Sequence, residues 1–185
     1  RTIDKEQGEA LFGPLNAATT PAAAQPHLAT AEQAFGFVPV LTYALAAEPA
    51  ALGAYMGWLQ ALGNTSLDPV AQQVAMTAAS HANASVYGAS VHATLAGRLG
   101  ASPEVVATMR TGGTLTDRKL EAVRRFADAI VAKRTQVSDS DVAALKAAGY
   151  GRDAVVAIAM AVAGKVLVNT VAHLSQVDVD EPFQG

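Results

Sequence analysis

Four histidines, His27, His81, His92 and His173, are the side chains of this 185-residue chain best suited to acid-base work, because imidazole titrates near neutrality. Their spacing contains no His-x-x-x-His pair and no carboxylate-histidine pair, so no metal site is expected, and nothing resembling a P-loop or a dinucleotide fingerprint calls for a cofactor. With 0 cysteines the chain has no disulfide, thiolate ligand or sulfur nucleophile of its own. His92 is the strongest candidate. On a continuous helix its neighbour one turn earlier is Gly88, which leaves a gap beside the imidazole. Two readings are open: the gap is a small pocket in which His92 moves protons, or His92 is a buried histidine satisfied by a partner such as Gln73. Ser85 and His92 are too far apart on one helix, ~10 Å of rise, for a serine-histidine nucleophile, and no Gly-x-Ser-x-Gly elbow is present. Helix capping is the better role for Ser85. His81 and Tyr87 can line the same cavity as Gln73 and His92, although packing with a satisfied polar tip explains each more simply.

The stretch from Ser80 to His92, Ser-His-Ala-Asn-Ala-Ser-Val-Tyr-Gly-Ala-Ser-Val-His, resembles the signature of the carboxymuconolactone decarboxylase and alkylhydroperoxidase D-like (AhpD-like, peroxidase-related) family. In that signature an Asn precedes a Cys-x-Tyr-Cys pair and a His follows. Asn83, Tyr87 and His92 match, whereas Ser85 and Gly88 stand where the cysteines would be and Gln73 where the family places a Glu. Upstream, Phe35-Gly36-Phe37-Val38-Pro39 resembles the family's entry motif; downstream, Asn169 to Pro182, with His173 and Asp180, resembles its C-terminal stretch.

The resemblance implies an all-α fold and a homo-oligomer, commonly a trimer or hexamer. Peroxide reduction by its thiol members needs a low-pKa thiolate assisted by an acid and a base. Gln73 cannot ionise, Ser85 carries no sulfur and Gly88 has no side chain, so an alkyl hydroperoxide reductase is disfavoured. The family's decarboxylase branch works without redox cysteines. The expectation is therefore a protein that binds or transforms a small organic molecule through a His92 pocket, decarboxylase/lyase-like or isomerase-like if it is an enzyme. The alternative is a catalytically silent oligomer that binds a ligand or partner. No arginine clamp for a carboxylate is evident: Arg98 and Arg110 are nearest and are expected to be exposed.

The elements that must position these residues are helices. Oxygen acceptors followed by Pro or acidic residues recur at Glu48-Pro49, Asp68-Pro69, Ser102-Pro103-Glu104, Thr116-Asp117 and Ser138 before Asp141, each where the free amides of a helix start need partners. They predict helices over 39–47, 49–63, 68–82, 86–99, 102–111, 116–134, 138–148 and 152–176. Along 116–134, Leu120, Val123, Ala127, Ile130 and Val131 share a face, with Glu121 and Arg125 as an i, i+4 pair. Tyr55, Met56 and Trp58 read as core or subunit contact rather than a ligand box. His173 and Asn169 form a second i, i+4 pair, bonding each other or reaching another subunit. Residues 1–30, with Pro14, Pro21 and Pro26 and no sustained period, read as an N-terminal arm or wrapped loop before one helical domain over 31–185.

The 51% hydrophobic content is ample for one core. Charge is nearly balanced, 13 Lys and Arg against 16 Asp and Glu, which argues against nucleic acid or an anionic membrane as partner. The apolar run from Ala154 to Val168 is broken by Gly164 and Lys165 and falls short of a bilayer span of about 20 residues, so a buried helix is expected. Such a helix needs cover from its own domain or from another subunit. The polar start, Arg1 to Ala10, has no secretory character and suggests a cytoplasmic protein.

Overall fold

The computed structural model describes residues 2–185, in which ten α-helices and three short 3-10 turns form an all-α fold. Capping residues set most helix starts. Asp68 accepts from the amides of Val70 and Ala71 ahead of α5 (Pro69–Ala82), with Pro69 in its first turn. Ser85 accepts from Gly88 N ahead of α6 (Val86–Arg98), and Glu48, Ser102 and Ser138 do the same for α4 (Pro49–Gly63), α7 (Pro103–Thr111) and α9 (Asp139–Ala147). For α8 (Arg118–Ala132) the cap is Asp117 rather than Thr116, because its carboxylate reaches the amides of Lys119 and Leu120. With α3 (Val40–Leu45) and α10 (Arg152–Ser175), all eight predicted helices are present.

The first 35 residues are more ordered than their prolines suggest. Asp4 and Gln7 form a capping box at the start of α1 (Lys5–Phe12), which packs on α10, and Pro26 sits in the first turn of α2 (Gln25–Phe35), where it starts a helix rather than breaking one. α2 runs across position 30. The acidic residue on α8 also differs from expectation: Glu121 makes a bidentate pair with Arg124, at 2.7 Å through both Nε and the terminal nitrogen, and not with Arg125. The carboxylate also accepts from Leu115 N, and that bond turns it toward the i+3 neighbour.

α5 is the centre of the fold. Every residue from Ala71 to Ser80 is buried, with α6, α8 and α10 packed around it. α10, 24 residues long, is the one helix among the described residues long and apolar enough to cross a membrane. It packs instead on α1, α3, α4, α5, α6 and α8, with Ile158, Ala161, Val162, Lys165, Val168, Asn169 and Ala172 buried. Gly164 on this helix receives the indole of Trp58 from α4: a Cβ there would lie 2.2 Å from the ring, and Trp58 Nε1 donates to the Met160 carbonyl at 3.1 Å. Gly164→Ala is therefore expected to destabilise the fold by about 1–3 kcal/mol, despite alanine's helix propensity, because the indole must leave its seat. Urea denaturation followed by Trp58 fluorescence checks this.

Candidate functional site

Three separated stretches of sequence meet at one place. Phe35 and Phe37, either side of the left-handed Gly36 that ends α2, pack on the fully buried Phe183 with ring centroids 6.1 and 5.4 Å apart. Asp180 accepts from Val40 N at the start of α3, at 3.0 Å, and from the Tyr87 hydroxyl of α6 at 2.7 Å. Burial and then the neighbouring carboxylate push the Tyr87 phenol well above its ordinary pKa, so it stays protonated and donates.

Within this junction lies a cavity of about 40 Å³. Its walls are mainly apolar, from Pro39, Leu41, Leu45, Met56, Val168 and Phe183, and its polar groups are Thr42, Tyr55, Tyr87, His92 and Lys165. His92 is 3% exposed and its Nδ1–H donates to Gln73 Oε1 at 2.9 Å. An amide oxygen can only accept, so this bond fixes the tautomer and leaves the lone pair on Nε2. Burial first, and then the charge of Lys165, hold the imidazole well below its usual pKa, so it is neutral at physiological pH.

Lys165 comes from the middle of α10 and is 1% exposed. Among the described residues its ammonium makes no hydrogen bond or ion pair, and neither does His92 Nε2. Burial alone pushes the lysine down to about 7, leaving a substantial fraction as free amine near neutrality. From the sequence alone this residue is only a break in an apolar run. Its register was the available signal, since Ile158, Ala161, Val162, Val168, Asn169 and Ala172 recur on the same buried face at helical spacing.

The other candidates divide. Gln73 stands behind His92 and orients it, as a satisfied buried histidine requires, and His92 also lines a cavity. Gly88 lines the cavity with its backbone, but the space where its side chain would be is filled: a Cβ would sit 2.5 Å from Ser80 Oγ and 2.8 Å from Asn169 Oδ1. The gap expected beside His92 is thus closed by α5 and α10. Ser85 caps α6 and does not line the cavity. Asn83 ends α5, where its carbonyl accepts from His173 Nε2 at 2.8 Å, so His173 reaches Asn83 rather than Asn169.

His81 faces away from His92. Its Nε2 donates to the Met109 carbonyl at 2.7 Å, and it lines a second cavity, of about 200 Å³, with Arg124 and Asp128 of α8. Tyr55 and Met56, read as core, line the His92 cavity, and Tyr55 also stacks on Trp58 at 5.6 Å. Arg98 is exposed and lies over the Phe183 ring, whereas Arg110 is half-buried, donating to Thr94 Oγ1 at 2.8 Å and to the Phe183 carbonyl at 3.3 Å. Neither arginine lines the His92 cavity.

No family model matches the sequence, and no curated protein matches it. Solved structures do match the fold. An uncharacterized peroxidase-related protein from Ralstonia eutropha JMP134, described as an alkylhydroperoxidase AhpD core, superposes with a TM-score of 0.80 at 21% identity, over 93% of each chain. A peroxidase-related protein from Silicibacter sp. TM1040 gives 0.77 at 18% identity, over 93% of this chain and 92% of that one. The debrominase Bmp8, as a cysteine-to-alanine variant in complex with 2,3,4-tribromopyrrole, gives 0.79 at 17% identity, over 99% and 96%. With nearly the whole of each chain superposed, this protein has the AhpD-like fold.

Proposed function

We propose that this protein binds a small organic molecule in the cavity shared by His92 and Lys165 and transforms it by proton transfer, without thiol chemistry. The observation that carries the reading is the neutral imidazole, pinned at Nδ1 by Gln73 and leaving an unpaired Nε2 lone pair beside a small, mostly apolar cavity. Nε2 accepts a proton from a bound substrate, and Lys165 holds or offsets the negative charge that develops. The reaction class is decarboxylase/lyase-like or isomerase-like. A scaffold that holds tribromopyrrole in the debrominase Bmp8 supports a small-molecule ligand for this chain as well.

Self-association belongs to the same reading. Val156, Val166, Leu167 and Leu174, between 39 and 67% exposed, leave one side of α10 uncovered, and a second copy of this chain is the proposed cover. The test is a panel of small carboxylic acids, aldehydes and ketones followed by ligand-observed NMR, for wild type and His92→Ala. Binding or turnover is expected to fall about tenfold or more in the variant, the loss of roughly one substrate hydrogen bond, with the sedimentation profile unchanged. A panel with no binder, or a variant indistinguishable from wild type, refutes the proposal.

A further inference from the structure

We infer that Lys165 is an imine-forming residue, condensing with the carbonyl of a small aldehyde or ketone held in the His92 cavity. The inference rests on the small-molecule reading above and gives it a substrate class. A buried lysine is ordinarily paired with a carboxylate or has its ammonium at the surface, because an isolated charge in an apolar setting is costly. Lys165 does neither: it is 1% exposed, and the polar groups sharing its cavity, Thr42, Tyr55, Tyr87 and His92, include no carboxylate. The nearby Asp180 is engaged by Tyr87 and by Val40 N. An amine in such surroundings favours its neutral form, which is the nucleophile.

Burial pushes the group down to about 7, in agreement with that geometry. The cavity leaves about 40 Å³ free, which restricts a ligand to a carbonyl compound of a few non-hydrogen atoms. The Nζ lone pair adds to the carbonyl carbon, a proton passes from nitrogen to oxygen, and with one further proton taken up from solvent onto that oxygen, water leaves as the protonated C=N bond forms. The protonated imine then acidifies the adjacent C–H. His92 Nε2 takes that proton, the C–H electron pair moves into a C=C bond, and the C=N pair moves onto nitrogen to give an enamine. Reversal from solvent returns a proton to carbon. The net reaction is exchange at that carbon, with no oxidant or reductant consumed.

Two measurements test this. The first uses acetaldehyde with cyanoborohydride at pH 7, followed by peptide mass spectrometry. Lys165 is expected to be alkylated about tenfold or more faster than the exposed Lys5, Lys119, Lys133 and Lys146. The second follows α-hydrogen exchange of acetaldehyde in D₂O by NMR: Lys165→Met abolishes both trapping and exchange, whereas His92→Gln abolishes exchange and retains trapping. Adducts confined to the surface lysines, with Lys165 unmodified, overturn the inference. If small carbonyl compounds still bind and His92→Ala still weakens them, the small-molecule reading survives that failure; if nothing binds, both fall.

Discussion

Lys165→Met is expected to stabilise the protein at pH 7 by about 2–4 kcal/mol and to remove most of the dependence of stability on pH between 7 and 10. In the unfolded chain this lysine titrates at its ordinary value of 10.5, and in the folded protein at about 7. Below pH 7 both states carry the proton, so the full cost of the buried charge is present and does not vary. Between 7 and 10.5 the unfolded state binds more protons than the folded state, so stability rises with pH, by up to ~1.4 kcal/mol per unit from this one group. Above 10.5 both states are neutral and the cost has gone.

Other groups at the cavity bound that window. His92, held low by burial and by Lys165, resists protonation when folded, so stability falls as pH drops through the ordinary histidine range near 6.5. Tyr55 and Tyr87, both raised by burial, ionise in the unfolded state first, so stability falls again above pH 10. Guanidinium denaturation at pH 7, 8.5 and 9.5 measures the slope directly. A wild type with no rise over that range, or a Lys165→Met variant less stable than wild type at pH 7, would show that the ammonium is solvated or paired. Methionine keeps most of the apolar stem, so a loss of stability could not be blamed on a large void.

A lysine that costs the fold stability was legible in the sequence only by register. The helices from α3 to α10 were readable because their starts are written locally, in Asp68-Pro69 or Ser102-Pro103, where cap chemistry and the proline ring act within three residues. α1 was not readable in that way. Its Gly8 lowers helix propensity, and the reason for a glycine there is distant: a Cβ would meet the backbone oxygen of Leu174 and the side chain of Gln176, both at 3.0 Å. In α2, Pro26 looks like a breaker until its place in the first turn is known.

The site shows the same division. The bond between His92 and Gln73 joins α5 and α6 across a tight Asn83-Ala84-Ser85 turn and could be anticipated as a helix-helix pairing. The meeting of Phe35, Phe183 and Lys165 could not, because it depends on how α2, α10 and the C-terminal turn, far apart in sequence, come together. Of the two flanking segments that carry the AhpD-like resemblance, 35–39 lines the cavity through Phe35 and Pro39, whereas 169–182 lies beside it, tied to Tyr87 and Val40 through Asp180. Lys165 lies just outside the second, four residues before Asn169.

Restoring side chains at the vacant position is expected to fail for a reason that composition does not reveal. Gly88→Ala should cost about 2 kcal/mol or more, even though glycine to alanine inside a helix ordinarily gains ~1 kcal/mol, because the new methyl overlaps Ser80 and Asn169. Ser80 Oγ is held in place by its bond to the Met76 carbonyl at 2.8 Å, and Asn169 is 2% exposed on α10, so neither has open space into which to move. The overlap predicts a coupling with a definite sign. In a double-mutant cycle, Gly88→Ala combined with Ser80→Ala should be more stable than the sum of the single effects by ~1 kcal/mol or more, since removing the hydroxyl removes the closest approach. Additive effects would mean that the helices part freely and the packing at Gly88 is not tight. The same geometry governs Ser85→Cys with Gly88→Cys: the second thiol enters a filled space and Gln73 still supplies no proton. Peroxide consumption with a dithiol donor should therefore stay at background until Ser80 is also reduced in size and Gln73 is made Glu. A double-cysteine variant that turns over hydroperoxide without those changes would show that the thiol site had been lost by two substitutions alone. The expectation here is instead that Ser80 and Asn169 have closed the space a thiol would occupy, leaving His92 to work with Lys165.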